Sequence, residues 1–480
     1  MEKENRAIIS AISLIVGLSI FYYLITLSTV SVVTRAVIAV IMLFVLSAIL
    51  VQVNKFKHLF GAFLLGTKSG SKLIDDITKL NPRFWIALAD WGTVMSFGIL
   101  SYFIFRKQFG IKTLVVGIIS LFVMIGIILP YSAIAFQFIS IPQITQSASS
   151  AQAAPSTPLG MIASYIWLGV VFIGGFGLYV LLTILYAALG ILYGLAIFLY
   201  SLISGAPNYT AISSQTPGVA PLIPGITIPL LAGLATLAIL LIVHEFSHGI
   251  LARVAKVKIK QIGLLVLGFI PIGAFVEPEM RHVKKLKPEK QIRILVGGIA
   301  ANLLFSIIFF VLLILLVTYL LPNALTTKII ISAVVPNSPA FGIIPAGSQI
   351  LQWNGHPIQN FSSFTNATSS QPFELTTLVT DKGSYSLTSN AAGKIGVDIA
   401  QLTGPKPNLA SNIIYFFYTL FSLSFLLNFL VGALNLLPIP SFDGWQIYQL
   451  KVKNKKVLRY IAAIAVVSIL ILILPWFYAH

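Results

Sequence analysis

Apolar residues in this chain run in long blocks instead of alternating with polar ones. Eight blocks stand out, at 7–27, 36–53, 84–105, 112–136, 228–253, 294–321, 412–437 and 457–478. A helix needs roughly 20 mostly apolar residues to cross a bilayer, and each block is about that long or longer. A further block, 161–203, is uncharged throughout. As one straight helix it would be roughly 65 Å long at about 1.5 Å per residue. It therefore predicts one span plus a membrane-buried or interfacial helix, or two spans in a tight hairpin. The expected fold is a polytopic α-helical membrane protein with nine or ten spans. The opening MEKENR leads directly into the first block without a small-residue cleavage signal, which predicts a retained span. The stretch 137–160, rich in Ser, Ala, Gln, Pro and Thr, reads as a flexible linker without chemistry.

One long segment, 322–411, breaks the pattern and reads as short strands. Residues 329–335 are rich in β-branched side chains, and 349–353 run into Asn354-Gly355, a hairpin-turn signal. Residues 375–380 and 384–387 flank a second turn at Asp381-Lys382-Gly383. The run SPAFGIIPAGSQILQWNGHPI resembles the core of a PDZ domain, with Gly347-Ser348 where a glycine-acid turn is usual. That resemblance implies a small β-rich insert that pairs with peptides at a sheet edge. Four regions follow. Residues 1–204 are N-terminal spans without an assigned role, and 205–321 form the first half of a membrane core. Residues 322–411 are the PDZ-like insert, and 412–480 the second half of the core.

Composition narrows the class. The chain is 57% hydrophobic and only 9% charged, against roughly 25% charged in soluble domains. A soluble domain, a disordered chain and a coiled coil are excluded. Cysteine is absent, which excludes disulfides, thiol catalysis, iron–sulfur clusters and cysteine-ligated zinc. The net charge of +18 points in a membrane chain to cytoplasmic loops and anionic headgroups, and not to nucleic acid. Residues 253–293 carry ten Lys/Arg against three Glu, and 451–459 carry five Lys/Arg and no acid. Both segments are expected inside. The uncharged loop 205–227 and the insert 322–411, with four Lys and three acids, are expected outside. In the first half, the basic residues of 55–83 and those of 106–112 compete for the inner side. Satisfying the larger cluster gives nine spans with the N-terminus inside.

The chemistry is concentrated in His244-Glu245-Phe246-Ser247-His248, which follows the deeply apolar run LLAGLATLAILLIV. Residues at i and i+4 share a helix face, so His244 and His248 can bind one metal ion. Glu245 then lies beside the metal, where it can take a proton from an activated water. The bland alternative is three polar residues packed between helices, but ionisable groups inside a membrane are costly and default to function. A catalytic zinc takes three protein ligands. The acids near apolar segments are Asp443, Asp90, Glu277 and Glu279. By the expected orientation, His244, His248 and Asp443 share the inner depth of their helices. Asp90 reads better as a polar contact between spans, and Glu277 and Glu279 as solvated ion-pairing residues of the basic loop.

HEFSH, PIGAFVEPE, GGIAAN and NLLPIPSFDG, in this order, resemble the site-2 protease family of intramembrane zinc metalloproteases over roughly 228–480. The resemblance implies cleavage of membrane-protein substrates within the bilayer near the cytoplasmic face of the cell membrane. It implies zinc on His244, His248 and Asp443, with Glu245 as the catalytic acid/base. It also implies that Asn302 and Asn435 hold the substrate backbone or the developing oxyanion. Ile299 stands where the family has Pro, and Phe442 where it has Leu. Residues 262–276 resemble the family's membrane-embedded β-hairpin, which pairs with an unwinding substrate helix. The PDZ-like insert is expected outside, as a substrate filter. The rival readings are a prenyl-protein endopeptidase type and a catalytically inactive scaffold or transporter. The first needs a later Glu ligand, and only Glu374, in the outer insert, follows Glu289. Retention of every chemical group argues against the second.

Overall fold

A computed structural model of the chain describes residues 3–129 and 158–477, apart from 28–29, 60, 68–70, 214, 216–217, 219–221 and 369–370. Most of the expected linker 137–160 and the end of the expected span 112–136 lie outside these residues. The chain divides into two compact units, one of residues 1–313 and 419–480 and one of residues 314–418.

The first unit opens with α1 (Lys3–Thr26) and α2 (Val32–Asn54). Two strands follow, β1 (His58–Leu59) and β2 (Ala62–Thr67). Next come α3 (Ser71–Leu80), α4 (Pro82–Phe97), α5 (Leu100–Ile104) and α6 (Ile111–Val123), the last extended by a π turn to Ile128. Then come α7 (Pro158–Ile203), the short α8 (Thr210–Ser213) and α9 (Leu230–Val254). A hairpin of β3 (Ile259–Leu267) and β4 (Ile270–Pro278) leads through α10 (Met280–Val283) to α11 (Pro288–Tyr319).

Among the described residues, eight helices are long and apolar enough to cross a membrane, where the sequence suggested nine or ten. The difference has a physical origin at two glycines. The block 84–105 is not one helix: α4 ends after 16 residues at Gly98, whose φ is +55°. The block 161–203 is one element bent at Gly175, with φ +64°. The bend is sharp. The ring of Trp167 meets those of Tyr179 and Tyr186 at 5.7 and 6.2 Å, although residues 167 and 186 would be about 28 Å apart along a straight helix. The two breaks touch. Ile99 donates its N–H to the Phe172 carbonyl at 2.8 Å. A Cβ at Gly98 would lie 2.4 Å from that carbonyl oxygen, and one at Gly175 2.4 Å from the Ser96 carbonyl carbon. A helix can open inside apolar surroundings only where its freed backbone groups find partners, and each break supplies them to the other.

The hairpin expected at 262–276 is present, with Ile262 opposite Val276 and Leu264 opposite Ala274. It belongs to a four-stranded sheet in the order β1-β2-β3-β4. Antiparallel β2 runs along β3 from Phe63 opposite Val266 to Thr67 opposite Ile262. The N-terminal region thus contributes a strand to the core. It also contributes α3, whose fully buried Ile74 packs with Ile250, Ile262 and Val276. Among the described residues only β3 pairs with β4 within the sheet, so the outer edge of β4 has no strand neighbour.

The second unit holds the short α12 (Leu321–Ala324) and a sheet. The strands are β5 (Leu325–Val334), β6 (Gln349–Trp353), β7 (His356–Pro357), β8 (Leu375–Thr380), β9 (Gly383–Thr388) and β10 (Val397–Pro405), with α13 (Phe361–Ala367) after β7. The sheet order is β10-β5-β6-β8-β9, with β7 beside β6. Asn354 and Gly355 both adopt positive φ in the tight turn between Trp353 and His356, as the Asn-Gly pair predicted. Ile329, Ile331, Ile350, Trp353 and Leu378 form its core. Residues 338–344 form turns and bends. The chain then passes along α14 (Leu409–Leu434) into the first unit, followed there by α15 (Asp443–Lys451) and α16 (Lys455–Ile473).

Candidate metal centre

The site is assembled from α9, α11 and α15. The i, i+4 spacing on α9 places the His244 and His248 rings on one face, 4.8 Å apart between centroids. Their Nε2 atoms are 3.2 Å apart. Asp443, at the start of α15, brings Oδ2 to 3.2 Å from each of those atoms. The three groups are nearly inaccessible, Asp443 being 9% exposed, and Asp443 Oδ2 has no hydrogen-bond donor. The described residues hold this one His/Asp/Glu group with metal-ligand geometry.

This arrangement fits a metal ion. A tetrahedral zinc with bonds near 2.0–2.1 Å holds its ligand atoms about 3.3 Å apart, and the observed triangle has 3.2 Å sides. The far ring nitrogens agree. His248 Nδ1 lies 2.6 Å from the Ile294 carbonyl, which can only accept, so Nδ1 carries the proton and Nε2 offers its lone pair inward. His244 Nδ1 lies 3.1 Å from the Asn302 amide. The Asn302 Oδ1 is buried and without a partner. Turning that amide over would present its oxygen to a protonated Nδ1, leaving Nε2 free for a metal. Space is also reserved. A Cβ on Gly298 of α11 would lie 2.5 Å from His248 Nε2 and 2.7 Å from His244 Nε2.

Glu245 stands apart from the triangle. Its carboxylate accepts the Val276 N–H of β4 at 3.1 Å, which ties it to the outer edge of that strand. Glu245, His248 and Asp443 line a cavity of about 720 Å³.

The other expected residues are placed differently. Asn302 is fully buried behind His244. Asn435 is half-buried, and its backbone carbonyl accepts the Gly444 N–H at 2.7 Å. Neither lines the cavity. Asp90 lies in a buried pair with Arg293, whose Nε and Nη2 donate to its two oxygens at 2.8 and 2.9 Å. Glu277 accepts from Gln261 and faces Lys260 at 3.6 Å. Both match the bland reading drawn from sequence. Sequence reasoning missed Gly298, for which the doubled glycine of GGIAAN was the available signal. It also missed the carbonyl of Ile294 and the N–H of Val276, because backbone groups carry no sequence signature.

A helix-borne His pair, a carboxylate from a distant helix and a neighbouring Glu beside the outer edge of a strand define a membrane-embedded metallopeptidase domain. The model for peptidase family M50 matches residues 232–475, and the chain belongs to that family, the site-2 protease family. It is also similar to the uncharacterized protein MJ0971 of Methanocaldococcus jannaschii, 33% identical over 236 residues. The match takes in 47% of this chain and 58% of that relative, under two thirds of its length.

Proposed function

We propose that this chain is a zinc endopeptidase that hydrolyses peptide bonds within or near the transmembrane segments of membrane proteins. The observation that carries this reading is the 3.2 Å triangle of His244, His248 and Asp443 beside Glu245. When bound there, zinc supplies Lewis-acid activation of water and of the scissile carbonyl. The chain's own residues do the rest. A peptide bond in a helix is shielded by its own hydrogen bonds, so the substrate must be opened first. The outer edge of β4 has no strand neighbour among the described residues and, apart from the Val276 N–H held by Glu245, offers backbone partners to an extended segment. Because Glu245 accepts from Val276 of that strand, a segment paired there passes close to its carboxylate. Glu245 takes a proton from the attacking water and returns it to the leaving amine. Asn302, fully enclosed, orients His244. Asn435 lies outside the cavity lining and is the more exposed of the two asparagines.

The basic segments 253–293 and 451–459 support a site near the cytoplasmic face, with the PDZ-like unit extracytoplasmic. In this arrangement the insert acts as a filter for substrates already trimmed outside. The test is cleavage of single-span substrates by detergent-purified protein. Activity should vanish with a chelator, return with zinc and be lost in Glu245→Gln. Cleavage that persists in Glu245→Gln would remove this reading.

A further inference from the structure

The cavity that holds Glu245, His248 and Asp443 has a second chemical feature. Its wall carries Lys284, just after α10, and Lys455 and Arg459 on α16. Lys455 and Arg459 are four residues apart, so they share one face of that helix. The Lys455 Nζ donates to the Gln449 and Val452 carbonyls at the end of α15, at 2.5 and 2.9 Å, so neutral oxygens hold that cation. Among the described residues, none of the three forms an ion pair. The acids lining the cavity are Glu245 and Asp443, and a divalent ion on the ligand triangle would balance both. Three uncompensated positive charges then face the space where the substrate must lie. Charges of one sign lining a concave site concentrate and steer ligands of the other sign.

We propose that Lys284, Lys455 and Arg459 form a carboxylate-binding rim that selects substrates with acidic side chains flanking the scissile segment. This rests on the endopeptidase reading and adds the substrate class. Gln291, Gln446 and Gln449 line the same wall and offer amide donors to those carboxylates as well.

The full chain in zwitterionic detergent would be tested on matched single-span substrates carrying two Glu, two Gln or two Lys beside the cleavage site. Binding of the same peptides to Glu245→Gln would be measured by fluorescence anisotropy, as a readout independent of turnover. The Glu substrate should exceed the Gln one by about tenfold in kcat/KM and in affinity, the Lys substrate should fall below both, and added salt should shrink the spread. Lys455→Glu with Arg459→Glu should reverse the order, and Lys455→Gln with Arg459→Gln should flatten it. All three side chains are exposed; because Lys455 also holds the end of α15, Lys284→Glu with Arg459→Glu, which leaves those bonds in place, should reverse the order as well. Equal binding and equal Glu245-dependent cleavage of all three substrates would overturn the rim and leave the protease standing. Glu-selective binding without Glu245-dependent cleavage would sink the protease reading alone. A rim whose neutralisation matters only in vesicles containing anionic lipid, whatever the peptide charge, would be a headgroup seat, and the substrate proposal would fall.

Discussion

Asp90→Asn changes one atom type in a buried network and should cost the fold several kcal/mol. Asp90 is 7% exposed. It accepts from Arg293 Nε and Nη2 at 2.8 and 2.9 Å and from Gln108 Nε2 at 2.9 Å. Arg293 Nη2 also donates to the Gln108 carbonyl at 2.6 Å, and Gln108 donates to Thr93 at 2.9 Å. The asparagine keeps one acceptor and the shape, but leaves the guanidinium without its charge partner. Breaking a buried pair from one side typically costs about 3–5 kcal/mol. The carbonyl of Gln108 still serves Arg293, so the expected loss is about 3 kcal/mol, the lower end of that range. The effect should reach the site. Arg293 precedes Ile294, whose carbonyl fixes the His248 ring, so zinc affinity should fall together with stability. The assay is thermal unfolding in detergent with and without zinc, and competition with a chromogenic chelator. The double variant Asp90→Asn, Arg293→Gln removes the stranded charge and should recover most of the stability. An unchanged melting temperature in Asp90→Asn, or a double variant worse than the single, would refute the reasoning.

Gly298→Ala should abolish metal binding while leaving the helix intact, because the added Cβ would fall 2.5 Å from His248 Nε2; elemental analysis of zinc per chain is the check. Asp443→Ala should likewise strip the metal, whereas Glu245→Gln should keep it and lose about 10²–10⁴-fold in rate. A variant Asp443→Ala that retains full zinc would send the search for the third ligand elsewhere. The Arg253 guanidinium, donating to Asp75 of α3, holds that carboxyl below the ordinary 3.8. Its folded value lies below its unfolded one, so the stabilisation is present above about pH 4 and is lost as pH falls through the folded value. The melting-temperature gap between wild type and Asp75→Asn, both metal-free, should therefore be flat from pH 5 to 8 and close below about pH 4. A gap that stays constant down to pH 3 would contradict this.

Local chemistry was readable wherever it depends on near neighbours in the chain. The i, i+4 spacing put His244 and His248 on one face before any fold was known. The same holds for the Asn354-Gly355 turn, while the β3–β4 hairpin was legible through the family resemblance of 262–276. Hydropathy gave the polytopic class because a bilayer imposes length and composition on each span. Asp443 could be linked to the histidines through an assumed common depth and the family resemblance of NLLPIPSFDG; the structure brings its carboxylate to 3.2 Å from both. What no local pattern contained was pairing across distance. The breaks at Gly98 and Gly175 are tolerable because each opens against the other's backbone. A hydropathy window sees two uninterrupted apolar runs there. β2 joins β3 through backbone hydrogen bonds, which form whatever the side chains, so a segment outside the family match became part of the core without a motif. The family resemblance assigned Asn302 to the substrate; in the structure its amide is buried and lies 3.1 Å from His244 Nδ1. Depth follows from position along a helix. The direction a side chain faces is decided only when a neighbouring helix closes over it.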